Sequence, residues 1–396
     1  MPSPQTQLSD DDLHALLTLI AAGGASASRR QLLELHPSPA AALAAGTGQW
    51  QAAGLTPKQI DALRAPDEDA LTRALDWLHA PRHHLVGWHD PDYPGLLRRA
   101  PNPPLALFVA GEPALLWHPA VAVVGSRSPT PAGRDNATDF ARALARSGLA
   151  VASGLAAGVD TAAHRAALDA GGVTLAVLGT GPDIAYPRNN ADLHARIAAE
   201  GALISEHLPG TQAKPEHFPS RNRILAGLSL GTLVIEAAER SGALITARLA
   251  SECGRDVFAV PGSIHNPLAR GCHRLIREGA GLVESAGEVA AALAPLAAEL
   301  ADDLRRRLGI PISASHAAVM EGDHDGDDPA HGVNGRPDFT DPDYQSLWDA
   351  LGHDPTGMDQ LVERTGLTTA ELSSMLLVME LEGRVAAQHG RYFRNR

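Results

Sequence analysis

The chain has 396 residues, of which 44% are hydrophobic, so it can form two or three domains with cores of their own. Its formal net charge of −13 excludes a surface that is basic throughout, although it leaves room for a local basic site. With only two cysteines, the chain has no disulfide scaffold, which indicates a reducing compartment, and the spacing of the two is not that of metal ligands.

Residues 1–80 are predicted to form a small helical domain. The first residues lack a basic segment followed by an apolar run, and no stretch is apolar for long enough to cross a bilayer, so we expect a cytoplasmic protein without membrane contact. Leu13, Leu16, Leu17 and Ile20 follow helical spacing, and glycines separate the short helices. Sterile-alpha-motif (SAM) and helix-hairpin-helix (HhH) modules have this pattern, and a purely structural role is equally compatible with it.

Residues 81–296 are predicted to form an α/β domain. Prolines precede the apolar run 105–109, which predicts turns and edge positions there. Further on, short apolar runs alternate with helical patterns, and we predict strands at 121–124, 150–152, 174–178, 202–205, 233–235, 256–260 and 281–283. This alternation predicts an extended Rossmann-like domain, whose mostly parallel sheet is covered by helices.

The predicted strand 121–124 ends at Gly125, Ser126 and Arg127. In open α/β sheets, ligands bind beyond the carboxyl ends of the strands, where glycine permits close approach and the next helix offers free N–H groups. Arg127 adds a planar, permanently charged fork that suits phosphodiester oxygens. The motif therefore predicts a phosphate-binding loop, and the alternative is a tight turn followed by a solvated arginine.

Two more polar loops follow the next predicted strands. The first contains Ser153, Gly154, Gly158 and Asp160, and we expect the Asp160 carboxylate to cap the next helix. His164 in that helix is interpreted as a packed or hydrogen-bonded histidine, because no nucleophile motif accompanies it. The second loop contains Gly179, Tyr186 and Asn190. Since these loops fall at one edge of the sheet, we predict a shared binding face.

The cluster most indicative of function precedes an apolar helix and consists of Lys214, Phe218, Arg221, Asn222 and Arg223. Cations can follow a phosphate backbone, a ring can stack on a base, and an amide can bond to a base edge, so this mixture favours single-stranded nucleic acid. In the alternative interpretation, the phenylalanine fills the core and one of the two arginines pairs with Glu216 or Glu236.

The last part of the chain is predicted to contain a linker and a third domain. Residues 297–340 are rich in Ala, Asp, Gly, His and Pro, and predict an acidic flexible linker. Residues 341–396 predict three helices and a hairpin, as in a winged helix. The third helix, 369–382, has no basic residue, which favours protein contact over duplex binding. Duplex binding stays open because of Arg391, Arg394 and Arg396.

Taken in order, the motifs between residues 125 and 280 resemble the DNA-processing protein A family, also called DprA or Smf. The motifs that carry the resemblance include Gly125-Ser126-Arg127, Ser153-Gly154, Gly158-Val159-Asp160, Tyr186-Pro187, Phe218-Pro219-Ser220-Arg221-Asn222-Arg223, Ser241-Gly242, Thr246-Ala247 and Val260-Pro261-Gly262. Two positions depart from the family pattern. Ala157 replaces a frequent arginine, and His273 replaces the usual asparagine.

The resemblance implies a protein that binds single-stranded DNA, forms a homodimer and helps to load the RecA recombinase during natural transformation. It implies no catalytic turnover, and we expect no cofactor and no metal. The implied DNA-binding residues are Gly125, Ser126, Arg127, Lys214, Phe218, Arg221, Asn222 and Arg223. Further phosphate-loop or structural candidates are Ser153, Gly154, Gly158, Asp160, Gly179, Tyr186, Asn190, Ser241, Gly242 and Thr246.

Two other functions stay open at this point. Gly231-Thr232 followed by Glu236 resembles an element of nucleotide phosphoribohydrolases, in which Glu236 would be a catalytic carboxylate. The residues before it, Leu228-Ser229-Leu230, lack the Pro-Gly-Gly run of those enzymes. The third possibility is a winged-helix transcription regulator whose α/β domain senses a nucleotide.

Overall fold

A computed structural model of the chain describes residues 8–307, 342–351, 356–381, 384–388 and 391–394. The described residues up to 307 form one compact unit, and those from 342 onward form a second. Most of the predicted linker, residues 308–340, lies outside the described residues, as does Arg396. The predicted division into four parts therefore stays a prediction.

The first unit begins with a bundle of six helices, as expected from the helical spacing. They are α1 (Asp10–Ala21), α2 (Ser26–Glu34), α3 (Pro39–Ala44), α4 (Gly46–Ala52), α5 (Pro57–Arg64) and α6 (Glu68–Leu78). Leu16, Leu17 and Leu32 are fully buried in this bundle, in one core with Leu105 and Phe108. Leu105 precedes the sheet strand Ala106–Gly111 and Phe108 lies in it, so the bundle packs directly on the edge of the α/β domain.

Nine strands form the central sheet in the order β1-β2-β6-β5-β4-β3-β7-β8-β9. All neighbours from β6 to β9 pair in parallel, whereas β2 pairs antiparallel with both β1 and β6. The bounds are β1 (His83–Gly87), β2 (Ala106–Gly111), β3 (Ala120–Val124), β4 (Ala150–Ser153), β5 (Thr174–Val177), β6 (Ala202–Ser205), β7 (Gly231–Val234), β8 (Asp256–Ala259) and β9 (Gly281–Leu282). The extended, mostly parallel sheet is thus confirmed.

Helices cover both faces of this sheet. Along β3, Ala120, Ala122 and Val124 face one core, and Val121 and Val123 face the other, as the two-residue period of a strand requires. The first core contains α11 (His217–Leu228) and α12 (Gly242–Glu252), and the second contains α8 (Pro131–Arg146) and α9 (Val159–Asp169). The remaining helical segments of this unit are α7 (Gly95–Arg98), α10 (Ala191–Glu200), α13 (Arg270–Arg277), α14 (Ala286–Arg307) and the 3₁₀ turns Pro113–Trp117 and Arg188–Asn190.

The strand order reverses at β3. The chain passes from β3 through β4 and β5 to β6 on one side, and then returns to place β7, β8 and β9 on the other. At such a reversal the loops beyond the carboxyl ends of the strands diverge and leave a crevice, which is where open α/β sheets bind ligands. The fold therefore places a binding crevice directly after β3.

Two segments of this unit differ from the sequence-based expectation. The apolar run 105–109, before which the prolines predicted turns and edge positions, overlaps β2, whose residues are all buried and which pairs with β1 and β6. Residues 297–307 were predicted as linker but belong to α14. There Leu300 packs in the core, and Arg99 forms ion pairs with Glu299 and Asp303, so this helical turn has partners that composition alone does not reveal.

The second unit has the predicted winged-helix architecture. Its helices are α15 (Pro342–Ala350), α16 (Met358–Thr365) and α17 (Thr369–Leu381), and its strands β10 (Thr356–Gly357), β11 (Val385–Gln388) and β12 (Arg391–Arg394) form a sheet in the order β10-β12-β11. Leu347, Leu361, Leu372 and Leu376 are buried in its core. Throughout the described parts of both units, no helix has the length and apolar character needed to span a bilayer.

Candidate functional site

A cleft of about 690 Å³ opens at the carboxyl ends of β3, β4 and β7. Apolar residues of α11 and α12 contribute to its walls. Most of the predicted site residues line it: Gly125, Ser126, Arg127, Gly154, Asp160, Tyr186, Lys214, Phe218, Arg221, Asn222, Ser241, Gly242 and Thr246. The fold thus brings together loops that are more than a hundred residues apart in the chain.

The mouth of the cleft carries two free cations. Arg127 and Lys214 are both exposed, and neither has an ion-pair partner among the described residues. The first turns of α11 and α12 also face the cleft, and Ser241 caps α12 by accepting a hydrogen bond of 3.2 Å from the Ala243 N–H. Free guanidinium and ammonium groups beside helix N-termini provide a positive field for an anion.

An aromatic pair forms one wall of the cleft. The ring centres of Tyr186 and Phe218 lie 5.1 Å apart at an angle of 38°, and Tyr186 is 45% exposed. The Arg127 guanidinium carbon lies 5.9 Å from the centre of the Phe218 ring. Phe218, Asn222 and Leu225 follow one another at helical spacing and therefore lie on one face of α11, which lines the cleft with a ring, an amide and methyl groups. The pair supplies a flat apolar surface beside a cation.

Arg221 differs from the other cations because its side chain forms the floor of the cleft. It is only 5% exposed and donates a hydrogen bond to the Val177 carbonyl. A Cβ at Gly154 would lie 2.2 Å from the Arg221 guanidinium, so a larger residue here would require this buried, hydrogen-bonded side chain to move. Burial lowers the pKa of Arg221 to about 10, which leaves it charged at neutral pH. Arg221 therefore supports the loop above it and adds a buried positive charge beneath the site.

The Asp160 carboxylate holds the loop after β4. It accepts hydrogen bonds from the backbone N–H groups of Gly154 at 3.1 Å and Ala156 at 3.2 Å. The expectation that it caps α9 is wrong, because the N-cap is Gly158 and Asp160 lies inside the first turn. Burial raises the pKa of Asp160, and the positive charge of Arg221 opposes this shift. The loop is therefore fixed from below by a carboxylate as well as a guanidinium.

Gly158 joins the first two loops of the cleft. Its φ of +85° lies in the left-handed region, and a Cβ there would be 2.4 Å from the Ser126 carbonyl oxygen. That oxygen accepts a hydrogen bond of 3.1 Å from the Val159 N–H. The loop carrying Arg127 is thus held against the loop after β4 through backbone contacts that leave no space for a side chain.

Arg223 does not line the cleft. Its guanidinium bonds to the Glu206 carboxylate and donates a hydrogen bond of 2.6 Å to the Asn102 carbonyl. The sequence-based interpretation considered Glu216 and Glu236 as partners for this arginine, and neither is the one observed. Because consecutive helical residues point in different directions, Asn222 can face the cleft while Arg223 faces the protein body.

Four other predicted residues have supporting positions outside the lining. The Ser153 hydroxyl donates to the Val123 carbonyl at 2.6 Å, and the Asn190 amide donates to the Leu155 carbonyl at 3.0 Å. Gly179 lies under the Phe218 ring, where a Cβ would come within 3.0 Å of it. Gly158 holds the loops after β3 and β4 together. These residues shape the loops, and the neighbouring residues that line the cleft are the ones that can contact a ligand.

His164 is packed in the interior, in agreement with its interpretation from the sequence. Thr174 donates its only hydroxyl proton to the Val151 carbonyl at 2.7 Å, so the Nδ1–H of His164 must donate to the Thr174 oxygen, also at 2.7 Å. Burial, with a contribution from the nearby charge of Arg221, lowers the pKa of His164 to about 3. The imidazole is therefore neutral at physiological pH.

Glu236, the carboxylate that an enzymatic function would use, is engaged elsewhere. Its oxygens accept bonds from the Thr130 hydroxyl at 2.6 Å, the Thr130 N–H at 2.9 Å and the Asn266 amide at 3.0 Å. It is 6% exposed and does not line the cleft. This carboxylate ties the start of α8 to the loop that contains Asn266.

The two positions that depart from the family pattern have different surroundings. Ala157 is exposed in the loop after β4 and offers no polar group. The Nε2 atom of His273 lies 2.9 Å from the Gly262 carbonyl, so the imidazole joins α13 to the loop after β8.

In the winged helix, the Arg394 guanidinium bonds to the Trp348 carbonyl and lies 4.7 Å from the centre of the Trp348 ring, which gives this arginine a structural role.

Comparison with known proteins shows which family has this sequence pattern. A family model described as DNA recombination-mediator protein A matches residues 84–294, which is more than half of the chain. A second model, described as the DprA winged helix domain, matches residues 335–391. The matches cover both the α/β domain and the winged helix.

Curated relatives and a solved structure agree with these matches. Protein Smf of Escherichia coli (strain K12) is 38% identical over 347 residues, covering 87% of this chain and 86% of the relative. DNA processing protein DprA of Streptococcus pneumoniae is 49% identical over 202 residues, covering 51% of this chain and 71% of the relative. The X-ray structure of DprA from Streptococcus pneumoniae is similar at a TM-score of 0.64 and 36% identity, over 72% of this chain and 98% of that one.

Proposed function

The chain belongs to the DNA recombination-mediator protein A family, also called DprA or Smf, and on that premise we propose that it binds single-stranded DNA in the cleft. The observation that carries the proposal is the convergence of two unpaired cations and a partly exposed aromatic pair in one crevice. Cations that follow a backbone, beside rings that stack on bases, are the combination single-strand binding requires.

Each group has a distinct role in this proposal. Arg127 and Lys214 contact phosphate oxygens, and the rings of Phe218 and Tyr186 stack on an unpaired base. The amide of Asn222, which has no hydrogen-bond partner among the described residues, faces the same space and bonds to a base edge. Since the faces of bases inside a duplex are already covered by neighbouring bases, the rings can stack more readily on a base of a single strand, and the cleft favours single strands over duplexes.

We extend the proposal to the cellular role. The protein acts in the cytoplasm as a homodimer without catalytic turnover and helps to load RecA recombinase on single-stranded DNA during natural transformation. The relatives named as DNA processing proteins and the recombination-mediator description of the family model support this role. RecA filament formation on DNA coated with a single-strand-binding protein tests it, and an unchanged rate in the presence of this chain would contradict it.

The primary test is fluorescence anisotropy with a labelled oligothymidylate and a duplex of equal length. We expect the full chain to prefer the single strand, and we expect Arg127→Ala to lower the affinity. The slope of log K against log salt should become shallower by about 0.7, the value for one lost phosphate contact on a single strand.

Arg146→Ala is the matched control, because Arg146 is exposed at the end of α8 and does not line the cleft. Equal affinity of Arg127→Ala and the wild type would rule out the cleft as the binding site. Preference for a particular duplex would favour the transcription regulator instead, and base release from nucleoside monophosphates would favour the phosphoribohydrolase.

A further inference from the structure

Four arginines lie beside the cleft on a surface that the proposed function does not use. Arg240, Arg270, Arg274 and Arg277, here called the arginine patch, line a hollow of about 280 Å³ together with Glu239 and His273. Arg240 follows β7, and the other three belong to α13. All four side chains are exposed.

Shared lining residues connect the cleft to the arginine patch through a groove. Ser241 and Gly242 line the cleft and also a neighbouring groove of about 960 Å³. Arg240 and Arg274 line that groove and also the hollow of the patch. A chain that leaves the cleft over the start of α12 therefore enters the groove, whose lining includes two arginines of the patch.

The charges of the patch are largely uncompensated. Arg274 pairs with Glu278 at 2.8 Å, whereas Arg240, Arg270 and Arg277 have no ion-pair partner among the described residues. The four guanidinium groups line one hollow although the chain has a net charge of −13, and their mutual repulsion favours association with a polyanion. His273 contributes the one ring among the residues that line the hollow, and its Nε2 atom lies 2.9 Å from the Gly262 carbonyl, so the patch offers contacts chiefly for phosphates.

We propose that the single strand bound in the cleft continues over Ser241 and Gly242 and that its sugar-phosphate backbone lies on the arginine patch. This inference rests on the proposed function and adds a second segment to the same binding site. Contacts to the backbone alone are independent of sequence, so the patch lengthens the bound strand without adding base preference. Short strands occupy only the cleft, and longer strands occupy both segments.

The test uses the full chain and two oligothymidylates, one of about 6 nucleotides, near the lower end of the usual site sizes for single strands, and one of about 20, above their upper end. The variant Arg240→Gln/Arg270→Gln/Arg277→Gln should bind the short strand as the wild type does. It should bind the long strand more weakly, with a salt slope shallower by about 2, because three phosphate contacts are lost at about 0.7 each.

The matched control is Arg73→Gln/Arg146→Gln/Arg165→Gln, which removes the same charge from exposed positions outside the cleft, the groove and the patch. We expect it to leave both salt slopes unchanged. Replacing the three patch arginines by lysine should preserve the slope on the long strand, and thermal unfolding midpoints should match the wild type, which separates charge loss from misfolding.

Two results overturn the proposed path. These are an unchanged salt slope on the long strand, or equal losses on the short and long strands. Arg127→Ala, measured beside these variants, distinguishes the failure of the path from the failure of the site. If it weakens both strands while the patch variant weakens neither, the cleft binds DNA and only the path is wrong.

Discussion

At the scale of single residues, the cleft divides its cations between two tasks. Arg127 and Lys214 are exposed at its mouth, whereas Arg221 is buried beneath a loop and Arg223 pairs with Glu206. The sequence predicted all four as DNA contacts because residue type and position relative to α11 are the only signals it offers. Arg221 is buried because the loop after β4 covers it, and the partner of Arg223, Glu206, lies in the connection between β6 and α11. Local residue spacing could not distinguish these roles.

The stacking role of Phe218 leads to the first prediction. Phe218→Leu keeps an apolar side chain against Gly179 but removes the ring, so the affinity for single-stranded DNA should fall by about 1–3 kcal/mol. The salt slope should stay the same, because no phosphate contact is lost. Anisotropy titrations over a range of salt concentrations measure both quantities. A shallower slope in this variant would mean that the ring does not act by stacking.

Arg221 leads to a prediction about stability. Arg221→Met retains an unbranched side chain but leaves the buried Asp160 carboxylate without its nearby positive charge and removes the hydrogen bond from the guanidinium to the Val177 carbonyl. The free energy of unfolding should fall by about 3 kcal/mol, as when one partner of a buried charge pair is removed. Urea denaturation measures it.

The exposed Arg127 provides the control for this variant. Arg127→Met should change the free energy of unfolding by less than about 0.5 kcal/mol, as is usual for a surface position. Adding Asp160→Asn to Arg221→Met should restore part of the loss, because the uncompensated charge is then absent. A stability of Arg221→Met equal to that of the wild type would contradict the supporting role.

At the scale of secondary-structure elements, the loops after β3 and β4 act as a single unit because Gly158 holds them together. Gly158→Ala places a Cβ 2.4 Å from the Ser126 carbonyl at a φ of +85°. We expect a destabilisation of more than about 1 kcal/mol and weaker DNA binding, since the loop that carries Arg127 must move.

Gly148→Ala isolates this effect. Gly148 has a φ of +83°, but a Cβ there would meet nothing within 4 Å. The variant therefore has the same backbone strain without the collision, and its DNA affinity should equal that of the wild type. If the two variants lost equal stability and both kept full affinity, the contact between the two loops would have no role in binding.

The parallel core of the sheet could be predicted because its strands are buried on both faces and form short apolar runs between helices. β1 was missed, since its sequence begins with His83 and His84 and does not alternate between apolar and polar residues. For β2, nearby prolines pointed to an edge, and the helical bundle that buries it is distant in the chain from residue 106. Both β1 and β2 belong to the sheet because they pair with segments distant in the sequence, and a local sequence pattern does not reveal such pairing.

At the scale of the whole molecule, buried neutral histidines link stability to pH. His164 in the folded protein binds a proton only near pH 3, whereas the unfolded chain binds one near pH 6.5. Between these values the unfolded state holds more protons, so stability rises with pH across this window and is lost as pH falls from 6.5 toward 3. His207, whose pKa burial lowers to about 4, contributes in the same direction.

We therefore predict that His164→Asn reduces the pH dependence of the free energy of unfolding, by up to about 1.4 kcal/mol per pH unit within that window. Asparagine keeps a donor near the Thr174 hydroxyl but does not titrate. His265→Asn, at an exposed position, should leave the wild-type dependence intact. Urea denaturation at several pH values measures this, and parallel curves for His164→Asn and the wild type would contradict the prediction.

The central claim, that one crevice collects the DNA-binding groups of distant loops, is tested most directly by ultraviolet cross-linking of the full chain to an oligothymidylate, followed by peptide mapping. We predict that the cross-linked peptides contain Phe218 or Tyr186 and that excess unlabelled single strand abolishes the products. Cross-links confined to peptides that contribute nothing to the cleft or the arginine patch would contradict it.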